Sequence, residues 1–94
     1  MKKQEIIDAV VSHVQSTNSL EYSTMWCIGL THEPDDRKHQ HDNEGQSTKY
    51  WKHWQADSLS DAQQIESYFI NEKGMRGGTG GDLDARKTVY VYVF

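Results

Sequence analysis

The chain has 94 residues, enough for one domain, residues 1–94, with a modest core. Ten Lys and Arg against fourteen Asp and Glu give a formal net charge of −4, which argues against a protein that coats nucleic acid generically, because such binding runs on a Lys/Arg excess. No run approaches the roughly 20 apolar residues of a membrane span, Glu5 and Asp8 interrupt any leader-type core behind Lys2 and Lys3, and the single cysteine makes no internal disulfide, so no membrane partner and a cytoplasmic home are expected.

Residues 3–16 read as a helix, with Ile6, Ile7, Val10, Val11 and Val14 at three- and four-residue spacing. The run STNS at 16–19 breaks it. Residues 24–30, TMWCIGL, have the length and apolar content of a buried strand, on which Cys27 is expected to face the core. Pro34 suits a first helical turn, and Asp35 and Asp36 sit well at its positive end, so a helix is expected over 34–41. Residues 42–48 form a loop. Residues 50–56 read as a strand with Tyr50, Lys52, Trp54 and Ala56 on one face and Trp51, His53 and Gln55 on the other. The run SLSDAQQIESYFINEKG carries an apolar stripe of Leu59, Ala62, Ile65, Phe69 and Ile70, with Ser60 and Gln63 fitting a capping box and Gly74 a C-terminal stop. A Gly-rich connection, GMRGGTGGD, leads to 88–94, TVYVYVF, whose β-branched and aromatic residues predict a strand. This order of helices and strands predicts an α+β fold with a small three-stranded, mainly antiparallel sheet flanked by three helices. The two strands 24–30 and 88–94 are expected to pair directly, since both need backbone partners.

Chemistry concentrates in residues 27–41. Cys27, Ile28 and Gly29 are followed by Thr31, Arg37 and His41, and the later helix carries Ala62 and Glu66. This series resembles the second signature segment of the GIY-YIG nuclease family, Tyr-Ile-Gly, one residue, Thr or Ser, five residues, Arg, three residues, His, followed by that family's Ala-x-x-x-Glu helix. The resemblance spans residues 26–72. Cys27 stands where the family has Tyr, no Gly-Ile-Tyr segment precedes it, and the family's Asn beyond the Glu helix has no counterpart. The C-terminal VYVYVF strand would take the place of the missing first strand, as in a permuted chain. Tyr90 or Tyr92 would then stand at the site, with Tyr22 as a weaker candidate.

What the resemblance implies is an endonuclease-type phosphodiesterase acting on DNA or RNA. Arg37 would hold the phosphate, His41 and a tyrosine from Tyr90 and Tyr92 would complete the catalytic group, and Glu66 would hold one Mg²⁺ or Mn²⁺. Thr31, and Arg76 in the basic stretch 73–87, would contact substrate. An Arg fork matches a phosphate, and a lone carboxylate suits Mg²⁺, which keeps most of its waters. The alternative is a GIY-YIG-like module that has lost catalysis and binds nucleic acid or protein, and a plain structural domain is the third reading. The histidines at 32, 39, 41 and 53 match no zinc spacing, and the Gly-rich loop lacks the Gly-Lys-Ser/Thr ending of a phosphate loop.

Overall fold

The computed structural model describes residues 1–17, 26–77 and 83–94. Within them lie three helices, α1 (Lys3–Ser16), α2 (Pro34–Asn43) and α3 (Leu59–Asn71). Four strands join them: β1 (Cys27–Thr31), β2 (Lys52–Gln55), β3 (Arg76–Gly77) and β4 (Tyr90–Val93). The architecture is α+β. Tyr22 falls outside the described residues, as do 24 and 25 of the predicted first strand and 78–82 of the Gly-rich connection.

The sheet is mixed, in the order β2-β4-β1-β3. β4 runs antiparallel to both neighbours, with Gly29 opposite Tyr92 on one side and His53 opposite Tyr92 on the other. The expected pairing of the last strand with the first is therefore present. The expected count of three strands is corrected to four. The two-residue β3 follows the turn at Gly74 and adds to the free edge of β1 in parallel, pairing Cys27 with Arg76 and Ile28 with Gly77. An unpaired edge of β1 would leave backbone donors and acceptors without partners, and β3 satisfies part of that demand.

Strand alternation sorts the side chains onto two faces. Ile28, Leu30, Trp54, Val91 and Val93 are buried on one face, in one cluster with Ile6, Val10 and Val14 of α1 and Ala62, Ile65 and Phe69 of α3. Cys27, Gly29, Tyr90, Tyr92 and His53 alternate with these and occupy the other face. The expectation that Cys27 points into the core is thus corrected: it is half-buried on the face opposite α1 and α3.

Local chemistry sets the helix ends. α3 is capped by Ser58, whose hydroxyl accepts the Asp61 N–H at 3.1 Å, and not by the expected box of Ser60 and Gln63. Ser58 is the residue with extended backbone before the first helical residue, so its side chain alone can turn back to the open N–H groups. α2 begins at Pro34, as its fixed φ favours, and the Thr31 hydroxyl accepts the Glu33 N–H at 3.0 Å just before it. It runs to Asn43, two residues beyond its expected end. There the chain closes in a Schellman motif. Gly45 takes φ +81°, the Gly45 N–H donates to the Asp42 carbonyl at 3.1 Å, and the Gln46 N–H donates to the His41 carbonyl at 3.1 Å.

Candidate functional site

The face opposite the core is where α2 meets the sheet. Arg37 and His41 are four residues apart, so they project from one side of α2. Both reach the same atom of β4. The Arg37 Nε–H donates to Tyr92 Oη at 3.2 Å, and His41 Nε2 lies 3.2 Å from that same oxygen. The other His41 nitrogen, Nδ1, is hydrogen-bonded to Gln46 Oε1. Arg37 Nη1 donates to Gln40 Oε1 at 2.8 Å.

Tyr92 reaches this position because β1 makes room for it. A Cβ on Gly29, its cross-strand partner, would meet Oη, Cζ and Cε1 of Tyr92, the last at 2.9 Å, closer than packed atoms tolerate. The ring is then clamped from the outside by Trp51, stacked at 4.6 Å between centroids with 13° between planes. His41 packs at 4.3 Å from the Phe94 ring and 5.6 Å from the Tyr92 ring. The result is a cavity of about 300 Å³ bounded by β1, α2 and the 45–46 turn. Arg37, His41, Gln46 and Tyr92 line it together with Cys27, Gly29 and Arg76. Arg76 joins it because β3 sets that residue opposite Cys27, so both side chains leave the sheet on the same face.

The remaining expected site residues lie elsewhere. Tyr90 shares the face of Tyr92 but sits two residues away, between Thr31 and Gln55, with its ring edge-on to His53 at 5.7 Å, and it does not line the cavity. Thr31 is buried, does not line the cavity, and accepts the hydrogen bond that starts the turn into α2. Glu66 belongs to α3, which packs on the opposite face, and it does not line the cavity either. Its helix comes close to the site at the β3 edge. Ile70, one turn after Glu66, covers Gly77, where a Cβ would meet Ile70 Cγ1 at 3.0 Å. Glu66 Oε2 is buried and has no hydrogen-bond partner among the described residues. Burial pushes the Glu66 carboxyl above the ordinary carboxylate range. Among the described residues no three His, Cys, Asp or Glu side chains converge as a metal-binding group.

Sequence reasoning missed Gln46 and Trp51 as parts of the site. The Asp-Asn-Glu-Gly sequence ending at Gly45 is a helix-stop signal that would have placed the next residue beside the last turn of α2, but no spacing rule ties Trp51 to Tyr92. No family model matches the chain, and no curated protein or solved structure matches it.

Proposed function

We propose that the chain is a GIY-YIG-like phosphodiesterase of nucleic acid, DNA or RNA, with Arg37, His41 and Tyr92 as its catalytic group. The single observation that carries this reading is the meeting of Arg37 and His41 on the Tyr92 hydroxyl, beside Gly29, in a cavity with Arg76 at its rim. The antiparallel pairing of β4 with β1 supports the permuted arrangement, in which the last strand supplies the tyrosine. Arg37 uses Nε on Tyr92 and Nη1 on Gln40, so Nη2 has no partner among the described residues, and in this reading it donates to a phosphate oxygen. Arg76, exposed on the adjoining strand, adds a second positive charge for the phosphodiester backbone.

Glu66 has the donor chemistry for the single Mg²⁺ or Mn²⁺ that this reading includes. An orphaned, buried carboxylate oxygen is relieved by a cation as well as by a proton. Such an ion would offset charge on a phosphate only if the phosphate reached it, and Glu66 lies on α3, outside the cavity that Arg37 lines. The chain's own contribution is separate: Arg37 binds and orients the phosphate, and Tyr92 and Phe94 form an aromatic wall of the cavity. The location of Glu66 outside the cavity favours a second reading, a binding module of the same architecture without cleavage.

The deciding assay follows labelled single-stranded, duplex and branched DNA, and RNA, with Mg²⁺ or with chelator. Arg37→Ala is expected to lower divalent-dependent cleavage by about 10² to 10³, the effect of removing one transition-state donor, while the circular dichroism spectrum stays unchanged. Binding without cleavage by the wild type, weakened in Arg37→Ala, would establish the module instead. Equal cleavage by wild type and variant would remove Arg37 from the chemistry.

A further inference from the structure

The hydrogen bonds around Tyr92 form a chain with a direction. Tyr92 Oη accepts the Arg37 Nε–H. Its own proton then has His41 Nε2, at 3.2 Å, as acceptor. A neutral imidazole has one N–H and one bare nitrogen, so Nε2 can accept only if the proton sits on Nδ1. Nδ1 faces Gln46 Oε1, an oxygen with no proton to give, which requires that same tautomer. Each link therefore has one donor and one acceptor, from the guanidinium through the phenol and the imidazole to the amide.

We infer that Gln46 is a positioning residue that holds His41 in the Nδ1–H tautomer and so makes Nε2 the acceptor of the Tyr92 proton. The α2 terminus builds this contact. Gly45 at φ +81° reverses the chain, the Gln46 N–H is anchored on the His41 carbonyl, and the Gln46 side chain returns to the His41 ring. In the phosphodiesterase reading, on which the catalytic half of this inference rests, the relay activates water. A water O–H proton passes to Tyr92 Oη as the Tyr92 proton passes to His41 Nε2. The water oxygen bonds to phosphorus, the bond from phosphorus to the leaving ester oxygen breaks with its electron pair going to that oxygen, and solvent protonates it. His41 then returns its added proton to solvent. The charged groups that face the pair are Arg37, on Tyr92 Oη, and Glu44, whose Oε2 lies 3.9 Å from His41 Nδ1. Arg76 and Cys27 border the same cavity from β3 and β1.

The tautomer is read directly by long-range proton–nitrogen correlation NMR of the His41 ring, assigned with His41→Gln, at a pH where the ring is neutral. The wild type is expected to show a protonated Nδ1 and a bare Nε2. Gln46→Leu is expected to shift the ring towards the Nε2–H form, and Gln46→Glu, whose carboxylate also accepts, to keep the Nδ1–H form. Gln46 is exposed, so all three proteins should fold, and melting curves check this. A bare Nδ1 in the wild type, or an unchanged ring in Gln46→Leu, overturns the inference. In cleavage assays Gln46→Leu should lower kcat about 10²-fold at constant KM, the lower end of what proton transfer contributes, and Gln46→Glu should move the acid limb of the kcat profile to higher pH. An unchanged kcat in Gln46→Leu overturns the catalytic half. Absence of cleavage by the wild type overturns the phosphodiesterase reading, and the tautomer is still decided by the spectrum.

Discussion

Glu66 is half-buried on α3. One of its oxygens is buried without a partner among the described residues, and loss of hydration raises its carboxyl above the ordinary carboxylate range. The raised value means that the folded state prefers the protonated form more than the unfolded chain does. Below the unfolded value, near 4.3, both states are protonated and the side chain costs nothing. As pH rises the unfolded state ionises first, so stability falls until the folded carboxyl ionises as well. Glu66→Gln, neutral throughout, is therefore expected to be more stable than the wild type at pH 7, and the gain should vanish below about pH 4. Denaturant midpoints at the two pH values in chelator-treated buffer measure it. If Glu66 holds a divalent ion, millimolar Mg²⁺ should stabilise the wild type and narrow that gap. Gly29 is the opposite kind of residue: its missing side chain is what the site requires, because the Tyr92 ring fills the space.

α2 is a polar element with no fully buried residue, yet it delivers Arg37 and His41. Its position depends on its ends and on two side chains rather than on an apolar stripe. At the start it is tied to β1 through Thr31 and fixed by Pro34, and at the end it closes on Gly45. Gly45 has open space around it, so a methyl group would meet no neighbour. Its φ of +81° is nevertheless costly for any residue with a Cβ. Gly45→Ala is expected to lose about 1–2 kcal/mol of stability, the price of a left-handed conformation, in denaturant unfolding. Because Gln46 follows directly, the same substitution should also broaden or shift the His41 ring signals. His32 makes a comparable tie at the far end of β1. Its Nδ1 lies 2.8 Å from the Thr88 carbonyl, and its Nε2 accepts the Asp84 N–H at 2.9 Å, which fastens the approach to β4.

In the molecule as a whole, two layers have separate tasks. α1, α3 and the inner face of the sheet supply the apolar core, while α2 and the outer face carry the polar site. A domain of this size has a total stability on the order of 5–14 kcal/mol, so the core has little reserve. Phe69 is fully buried between α3 and the sheet. Phe69→Ala is expected to cost about 3–5 kcal/mol, lowering the melting temperature strongly. Because β1 and β4 present one face to the core and the other to the site, the substitution should loosen Tyr92 as well. Tyr92 ring signals and the far-ultraviolet melt should therefore respond together, and an intact core melt with a disordered Tyr92 would contradict the shared-strand arrangement.

The sequence by itself determined the elements and much of their facing. Val10 and Val14 at helical spacing, the alternation of Val89, Val91 and Val93 with Tyr90 and Tyr92, and Pro34 and Gly74 as punctuation are local signals, because backbone geometry fixes which neighbours share a side. Spacing also placed Arg37 and His41 together on one side of α2. Other features depended on the assembled sheet. The choice of Tyr92 over Tyr90 follows from register against Gly29, which is a property of two strands from opposite ends of the chain. The turn of Cys27 away from the core, the recruitment of Arg76 by β3, and the stacking of Trp51 on Tyr92 likewise arise only when distant segments pack. Glu66 marks the limit most clearly. It follows core residue Ile65 in the chain, but only the tertiary structure set its helix on the face opposite Arg37 and left its oxygen buried without a partner among the described residues, because the sheet that separates them is made by long-range pairing.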